Sequence, residues 1–123
     1  MGIKLSDLKT KFYNKKVFIT GHTGFKGSWL LLTLSSFGAN VKGYSLNPYP
    51  KNCLYNLIDG DTLCSSTIGD IRDSKAIKQE ILDFEPDYIF HMAAQPLVSE
   101  GFKYPLDTFE TNIIGTANLV SSL

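Results

Sequence analysis

The chain has 123 residues, 43% of them hydrophobic and 20% charged, which is typical of one globular domain with its own core. Twelve basic residues balance twelve acidic ones, so the charge gives no reason to expect a nucleic acid partner. No run approaches the roughly 20 apolar residues that span a bilayer, and the cysteines Cys53 and Cys64 have neither CxxC spacing nor a histidine cluster. We therefore expect a cytoplasmic protein with free thiols, no membrane association and no metal site.

The first predicted element is a short helix that starts near Ser6, and the segment that organises the chain follows it. Val17–Ile19 is a short, bounded run of β-branched and aromatic residues, which predicts a buried strand. Gly21, Gly24 and Gly27 come next in the spacing GxxGxxG. The longer apolar segment after them predicts a helix that begins near Gly24.

Each glycine has a distinct role in this interpretation. Gly21 allows a sharp turn off the strand, Gly24 leaves the backbone bare so that a pyrophosphate can approach, and Gly27 lets the helix lie close to the sheet. The first amides of a helix have no acceptor within it, so an anion bound there gains hydrogen bonds and a favourable dipole. An ordinary tight loop can contain the same glycines, but the flanking strand and helix favour a dinucleotide-binding loop.

The later elements alternate in the way that an α/β protein requires. They are a strand at Val41–Ser45, one or two helical turns between Lys51 and Gly60, a strand at Thr62–Ile68, a helix capped by Asp73 or Ser74 and stopped by Pro86, a strand at Tyr88–Met92, and a long helix from Pro105 to Leu123. The order β-α-β-β-α-β-α predicts a Rossmann-type parallel sheet of about four strands with helices on both faces.

Ligands of such sheets bind beyond the carboxyl ends of the strands. After the second strand, Tyr44 precedes neither an acidic residue for a ribose 2′-hydroxyl nor an arginine for a 2′-phosphate, so the choice between NAD and NADP stays open. After the third strand, Asp70 and Ile71 are candidates for contacting adenine, although Asp70 also suits a turn. After the fourth, the small residues of Met92–Gln95 would let the backbone pass close to a ribose and nicotinamide.

These positions define a predicted cofactor site. Its residues are Gly21, Thr23, Gly24, Phe25, Lys26, Gly27, Tyr44, Asp70, Ile71, Met92, Ala93, Ala94 and Gln95.

Several neighbouring residues have competing interpretations. His22 is predicted to be an exposed loop residue, His91 a core histidine and Trp29 a packing residue. Thr111 and Asn112 either brace the backbone of the loop after the fourth strand or contact the ligand.

Four motifs in order resemble the extended short-chain dehydrogenase/reductase family. They are TGxxGxxG at Thr20–Gly27, GDIRD at Gly69–Asp73, HMAAQ at His91–Gln95 and TNxxGT at Thr111–Thr116. Within that family, GHTGFKGSWL and HMAAQPLV are more similar to the CDP-glucose 4,6-dehydratases than to the dTDP-glucose or GDP-mannose dehydratases.

The resemblance implies an NAD-dependent lyase that acts on a sugar nucleotide and forms a homo-oligomer. The residues of the two motifs just named imply that the sugar nucleotide is CDP-glucose. In such a reaction hydride leaves C4 of the hexose, water is lost across C5 and C6, and hydride returns to C6. The family performs this with a YxxxK motif, yet none of the six tyrosines here has a lysine four residues later. We therefore expect residues 1–123 to be the N-terminal part of a dinucleotide-binding domain, inactive alone and without the sugar-nucleotide domain. A related epimerase or reductase and a non-catalytic nucleotide-binding module remain alternatives.

Overall fold

The computed structural model describes residues 2–123, and within them the strands form one parallel sheet. The strands are β1 (Lys16–Thr20), β2 (Asn40–Ser45), β3 (Ser65–Ile68) and β4 (Tyr88–His91). Their order in the sheet is β3-β2-β1-β4, with β1 hydrogen-bonded to both β2 and β4. The strand order reverses between β1 and β4, which is where doubly wound sheets open a ligand crevice. The predicted Rossmann-type sheet is confirmed.

Helices connect the strands and continue after the last one. They are α1 (Leu5–Phe12), α2 (Phe25–Ser36), α3 (Leu54–Leu57), α4 (Ser74–Phe84), α5 (Val98–Lys103), α6 (Pro105–Phe109) and α7 (Gly115–Val120). Asp73 caps α4 by accepting hydrogen bonds from the amides of Lys75 and Ala76. Of the two predicted caps, Asp73 and Ser74, the structure therefore uses Asp73.

The alternation of side chains along β1 divides the core into two layers. Val17 and Ile19 pack with Leu31 and Leu34 of α2 on one face of the sheet. Phe18 points to the opposite face, where the buried cluster also includes Tyr44, Ile71, Ile77, Ile81 and Leu119. Every residue of β1 after Lys16 is buried, so Val17–Ile19 form a continuous apolar run instead of alternating with polar residues.

Some predicted boundaries were wrong. The third strand begins at Ser65 rather than Thr62, because the Thr62 hydroxyl and amide both bond to the carbonyl of Asp59 and hold a 3₁₀ turn at Gly60–Thr62. Helix α5 was not predicted. Trp29, predicted to pack, is half exposed on the outer side of α2.

The last helix is continuous in direction but not in hydrogen bonding. Between α6 and α7, residues Glu110–Ile114 form a π-helical turn. Just after it, Gly115 lies so close to the turn following β3 that an added Cβ would stand 2.6 Å from Ile71 Cγ2. The helix therefore packs tightly beside the strand ends, where the predicted site lies.

Candidate dinucleotide site

A cavity opens at the carboxyl ends of all four strands. It is lined by Gly21, Thr23, Gly24, Tyr44, Ser45, Leu46, Gly69, Asp70, Ile71, Arg72, Met92, Ala93, Ala94 and Thr111. The glycine loop after β1 therefore shares one site with the ends of β2, β3 and β4, and Thr111 of the π-helical turn closes one side.

The loop after β1 depends on glycine where the backbone turns and where it meets other backbone. Gly21 has a φ of +75°, and a Cβ there would stand 2.6 Å from the Ala93 nitrogen. A Cβ on Gly27 would overlap the Gly21 carbonyl oxygen and stand 2.9 Å from the Cα of His22. Gly27 thus lets α2 approach the glycine loop, whereas the prediction named the sheet.

Gly24 differs from these two glycines because its backbone suits any residue. It caps α2 with φ −74° and ψ 169°, and an added Cβ would meet only the Gly21 carbonyl oxygen, at 3.3 Å. No side chain caps the helix, and its first turn contains no acidic residue. The leading amides of α2 therefore have no anionic partner from the described chain, which leaves their partial positive charge available to a ligand.

Two hydroxyl groups and a carbonyl join the glycine loop to the end of β2. The Thr23 hydroxyl donates to the Leu46 carbonyl oxygen at 2.9 Å and lies 2.8 Å from Ser45 Oγ. Since Thr23 has a single hydroxyl hydrogen, the Ser45 hydroxyl is the donor in the second bond. This polar pair forms the wall of the cavity where a ribose contact is predicted.

Tyr44 links the ends of β2 and β3. Its hydroxyl donates to the Asp70 carbonyl oxygen at 2.9 Å, and its ring fills the space that a side chain on Gly69 would need. Burial, with the charges of Asp73, Asp70 and Glu80, raises the pKa of Tyr44 to about 12. Tyr44 is therefore a neutral structural donor, and only the edge of this residue reaches the cavity.

The carboxylate of Asp70 is held by Arg72. Both oxygens accept from the guanidinium, at 2.7 to 3.0 Å, and one also accepts from the Arg72 amide at 2.9 Å. These hydrogen bonds hold the pKa of Asp70 below its usual value. The Arg72 guanidinium also lies 3.7 Å from Asp107 and 3.8 Å from Glu110, and thereby bridges the cavity to the last helix.

A chain of hydrogen bonds sets the tautomer of His91 at the end of β4. The Thr20 hydroxyl accepts from the amides of Met92 and Ala93, so its hydrogen points to His91 Nδ1 at 2.6 Å. His91 Nε2 then donates to the Thr116 hydroxyl at 2.9 Å, which donates to the Asn112 carbonyl oxygen. Burial lowers the pKa of His91, and the imidazole is neutral.

Asn112 braces the loop after β4. Its Oδ1 accepts from the Gln95 amide at 2.8 Å, and its Nδ2 donates to the Gln95 carbonyl oxygen at 3.1 Å. The Gln95 side chain bonds to the backbone of Leu97 and to the Thr108 hydroxyl. Of the two interpretations of Asn112, the structure shows the brace.

The prediction that His22 is an exposed loop residue was wrong. His22 is fully buried, and its ring occupies the space above Gly43 of β2, with Nε2 2.7 Å from Ser66 Oγ. Burial lowers its pKa to about 4, so the ring is neutral near pH 7. Its Nδ1 has no hydrogen-bond partner among the described residues. The turn at Gly21 directs this side chain inward, and Gly43, on a different strand, makes room for it.

Of the thirteen predicted cofactor residues, nine line the cavity and four do not. Phe25 and Lys26 are exposed in the first turn of α2, Gly27 is buried behind the loop, and Gln95 borders a separate apolar groove with Leu97 and Phe102. The thirteen did not include Ser45, Leu46, Gly69 and Arg72, which also line the cavity, and Thr111 was predicted only as a brace or a ligand contact. The signal for Arg72 was its position two residues after Asp70 in the GDIRD motif, where opposite charges can pair.

Comparison with known proteins agrees with this geometry. The family model described as GDP-mannose 4,6 dehydratase matches residues 18–123. The chain belongs to this family. A curated relative in Salmonella typhimurium, a CDP-glucose 4,6-dehydratase, is 45% identical over 115 residues, which make up 94% of this chain and 32% of the relative. The resemblance to the extended short-chain dehydrogenase/reductases, and to CDP-glucose dehydratases among them, is confirmed.

Solved structures of epimerases have the same fold. The UDP-glucose 4-epimerase of Thermus thermophilus in complex with NAD aligns with a TM-score of 0.75 and 28% identity, covering 87% of this chain and 33% of that one. A UDP-glucose 4-epimerase from Stenotrophomonas maltophila with bound NAD and formylated UDP-arabinopyranose aligns with a TM-score of 0.75 and 26% identity, covering 88% and 33%. The chain thus spans about a third of the length of the Salmonella relative and of each of these two epimerase structures.

Within residues 2–123, no helix combines the length and apolar character that crossing a bilayer requires.

Proposed function

We propose that residues 1–123 form the N-terminal, dinucleotide-binding part of a CDP-glucose 4,6-dehydratase, a lyase that forms a 4-keto-6-deoxy sugar nucleotide. The main support for the proposal is the cavity, where the N-terminus of α2 meets the ends of all four strands. No side chain caps this helix N-terminus. The 45% identity to the Salmonella dehydratase over nearly the whole chain supports the choice of reaction and of CDP-glucose.

The residues of the cavity fit a nicotinamide dinucleotide. A Cβ added at Gly24 would meet a single protein atom, so the space in front of α2 is left to a ligand, and the leading amides of that helix suit a pyrophosphate. Thr23 and Ser45 suit a ribose, Asp70 and Ile71 the adenine end, and Met92–Ala94 the second ribose with its nicotinamide. Such a cofactor supplies reversible hydride acceptance, which a dehydration without net oxidation requires.

The chain's own contribution is to bind and orient the cofactor. The Thr20–His91 bond and the Asn112–Gln95 clamp hold the loop after β4 against the cavity. His91 and His22 are both neutral, so neither supplies a charge to the site. The catalytic tyrosine and lysine of the family are proposed to lie outside residues 1–123, together with the part that binds the sugar nucleotide. The complete enzyme is proposed to be a homo-oligomer.

An epimerase or reductase of the same family is the second candidate, since the solved structures with NAD are 4-epimerases. The sugar nucleotide that the enzyme forms distinguishes these two candidate functions. The longest product of the gene that contains these residues is incubated with CDP-glucose and NAD, and the sugar nucleotide is analysed by NMR. A 4-keto-6-deoxy product supports the dehydratase, a C4 epimer supports the epimerase, and unchanged CDP-glucose with intact NAD binding supports a non-catalytic module.

A further inference from the structure

We infer that His91 is a positioning residue: its neutral ring holds the loop after β4 against the cavity, and a proton on the ring loosens that loop. The ring lies between β1 and the last helix, with Thr20 at one nitrogen and Thr116 at the other, and we call these three residues the histidine bridge. The inference rests on the proposed function in one respect, because loosening of the loop is expected to weaken dinucleotide binding.

Both ring nitrogens of His91 require the same neutral tautomer. At Nδ1 the Thr20 hydroxyl is the donor, at 2.6 Å, because its oxygen already accepts from two backbone amides of the loop after β4. At Nε2 the Thr116 hydroxyl is the acceptor, at 2.9 Å, because its hydrogen is donated to the Asn112 carbonyl oxygen. The ring therefore carries its hydrogen on Nε2 and keeps a lone pair on Nδ1.

A proton on Nδ1 is incompatible with these bonds. A cationic imidazole has no lone pair, so the Thr20 hydroxyl hydrogen loses its acceptor, and water cannot replace it because Thr20 is fully buried. Thr20 Oγ1 can accept from Nδ1 only by releasing an amide, since the Met92 and Ala93 amides at 3.1 and 3.2 Å use both of its lone pairs. Among residues 2–123 the Ala93 amide has no other acceptor, whereas Met92 also donates to the Thr20 carbonyl oxygen. Protonation therefore costs the loop part of its attachment to β1.

The amides that Thr20 holds belong to the wall of the cavity. Met92 and Ala93 both line it, and the Ala93 nitrogen lies so close to the glycine loop that a Cβ on Gly21 would stand 2.6 Å away. Strand β4 itself stays paired with β1 through its backbone. Loss of the histidine bridge should thus loosen the contact between the two loops without separating the strands.

No charge near the ring offsets the cost of protonation. The other titratable residues of β1, β4 and α7 are Lys16 and Tyr88, each at the opposite end of its strand. In the flanking segments, His22 is buried and neutral with a pKa of about 4, and Glu110 is exposed. Burial alone shifts the pKa of His91, and it lowers it. The structure therefore stabilises the neutral ring.

The direction of the pH dependence follows from this preference. The attached loop requires the neutral ring, so the pKa of His91 is lower with NAD bound than with the loop loosened. The affinity for NAD should be highest above the ordinary histidine pKa of about 6.5 and should fall at lower pH, by up to about tenfold per pH unit for one proton.

The test is calorimetric titration of the longest product of the gene with NAD between about pH 8 and about pH 5, the range in which histidine titrates. Wild type should lose about tenfold or more in affinity across this range. His91→Gln keeps an amide that can donate to Thr116 but takes up no proton, so its affinity should stay constant within about twofold.

Thr116→Val and Thr116→Ser are a matched pair, because valine keeps the shape of threonine and serine keeps the hydroxyl. Near pH 8, Thr116→Val should weaken NAD binding by about three- to tenfold and remove the single-tautomer ¹⁵N NMR signature of His91. Thr116→Ser should restore both. A role of Thr116 in packing alone would leave the NMR signature unchanged.

Hydrogen exchange of the Ala93 amide reports the loop without a ligand. Its protection, relative to an unstructured amide, should fall with pH in wild type and not in His91→Gln.

Wild-type affinity that is independent of pH, or that falls equally in His91→Gln, would overturn the inference and leave the proposed function standing. An unchanged tautomer and affinity in Thr116→Val would overturn the role of the last helix. If NAD does not bind wild type at any pH, the proposed function fails and the exchange of Ala93 decides the inference alone. Protection that depends on pH only when His91 is present would then support it, and constant protection would overturn it.

Discussion

Gly24 and Gly27 lie three residues apart, at the N-cap and in the first turn of α2, yet alanine should affect a different property at each position. At Gly27 the new Cβ overlaps the Gly21 carbonyl oxygen and stands 2.8 Å from its carbon, so fixed backbone has to move. Overpacking costs about 1 to 3 kcal/mol, and a clash with backbone should cost about the upper value. Alanine favours a helix over glycine by about 1 kcal/mol, which offsets part of that cost. The net loss in the free energy of unfolding should therefore be about 2 kcal/mol.

At Gly24 the Cβ meets one oxygen at 3.3 Å, and the φ of −74° is open to alanine. The loss of stability should stay below about 1 kcal/mol, the usual cost of a less favourable N-cap residue. The Cβ would instead occupy the approach of the pyrophosphate. Loss of one hydrogen bond from an amide to a charged phosphate is worth about 1.5 to 3 kcal/mol, which is roughly a 10- to 100-fold weaker affinity.

Urea unfolding and calorimetric titration with NAD, applied to both variants, separate these effects. Gly27→Ala should lower the free energy of unfolding, and Gly24→Ala should lower the affinity at nearly unchanged stability. If Gly24→Ala binds NAD as tightly as wild type, the phosphate does not approach the backbone at this residue. If Gly27→Ala is as stable as wild type, the packing described for the loop is incorrect.

Three further predictions concern the site and its surroundings. Burial lowers the pKa of His22 from 6.5 to about 4. Between pH 6.5 and pH 4 the unfolded chain therefore binds a proton at this residue that the folded chain does not. The free energy of unfolding should fall by on the order of 3 kcal/mol as the pH drops from 6.5 to 4. Urea unfolding at several pH values measures how the free energy of unfolding depends on pH, and His22→Gln should reduce this dependence. An unchanged pH dependence in that variant would contradict the burial of a neutral His22. Asn112→Asp should cost about 1 to 3 kcal/mol and speed hydrogen exchange of the Gln95 amide, because the replacement keeps an acceptor but loses the donor to the Gln95 carbonyl oxygen; unchanged exchange would show that the clamp does not hold the loop. The 123-residue chain should self-associate, because β4 is an edge strand and apolar side chains such as Phe109 and Ile113 are more than half exposed on the last helix; sedimentation as a monomer over a wide concentration range would refute this.

The sheet and the glycine loop were predictable because their signals are local. One uninterrupted segment contains a buried apolar run, three glycines within seven residues and an apolar helix. The end of each later strand can be predicted from a short apolar run followed by a turn. The predicted positions of Gly21, Tyr44, Asp70 and Ala93 around one cavity followed from the general rule that parallel strands end at the same edge.

What the sequence did not predict depends on contacts between distant segments. The burial of His22 requires an empty space above Gly43, and the bridge from Arg72 to Asp107 and Glu110 joins residues more than thirty positions apart. No local pattern encodes either arrangement. The direction of the Thr23 and Ser45 hydrogens emerges only when their distances are known.

Isotope labelling at C4 of the sugar follows the hydride through the proposed reaction. CDP-glucose deuterated at C4 of the glucose is incubated with the longest product of the gene and NAD, and the sugar nucleotide is analysed by NMR and mass spectrometry. We expect a 4-keto-6-deoxy product with the deuterium at C6 and no net accumulation of reduced cofactor. Deuterium that stays at C4, or that accumulates in reduced cofactor without the 6-deoxy product, would contradict the proposed dehydration.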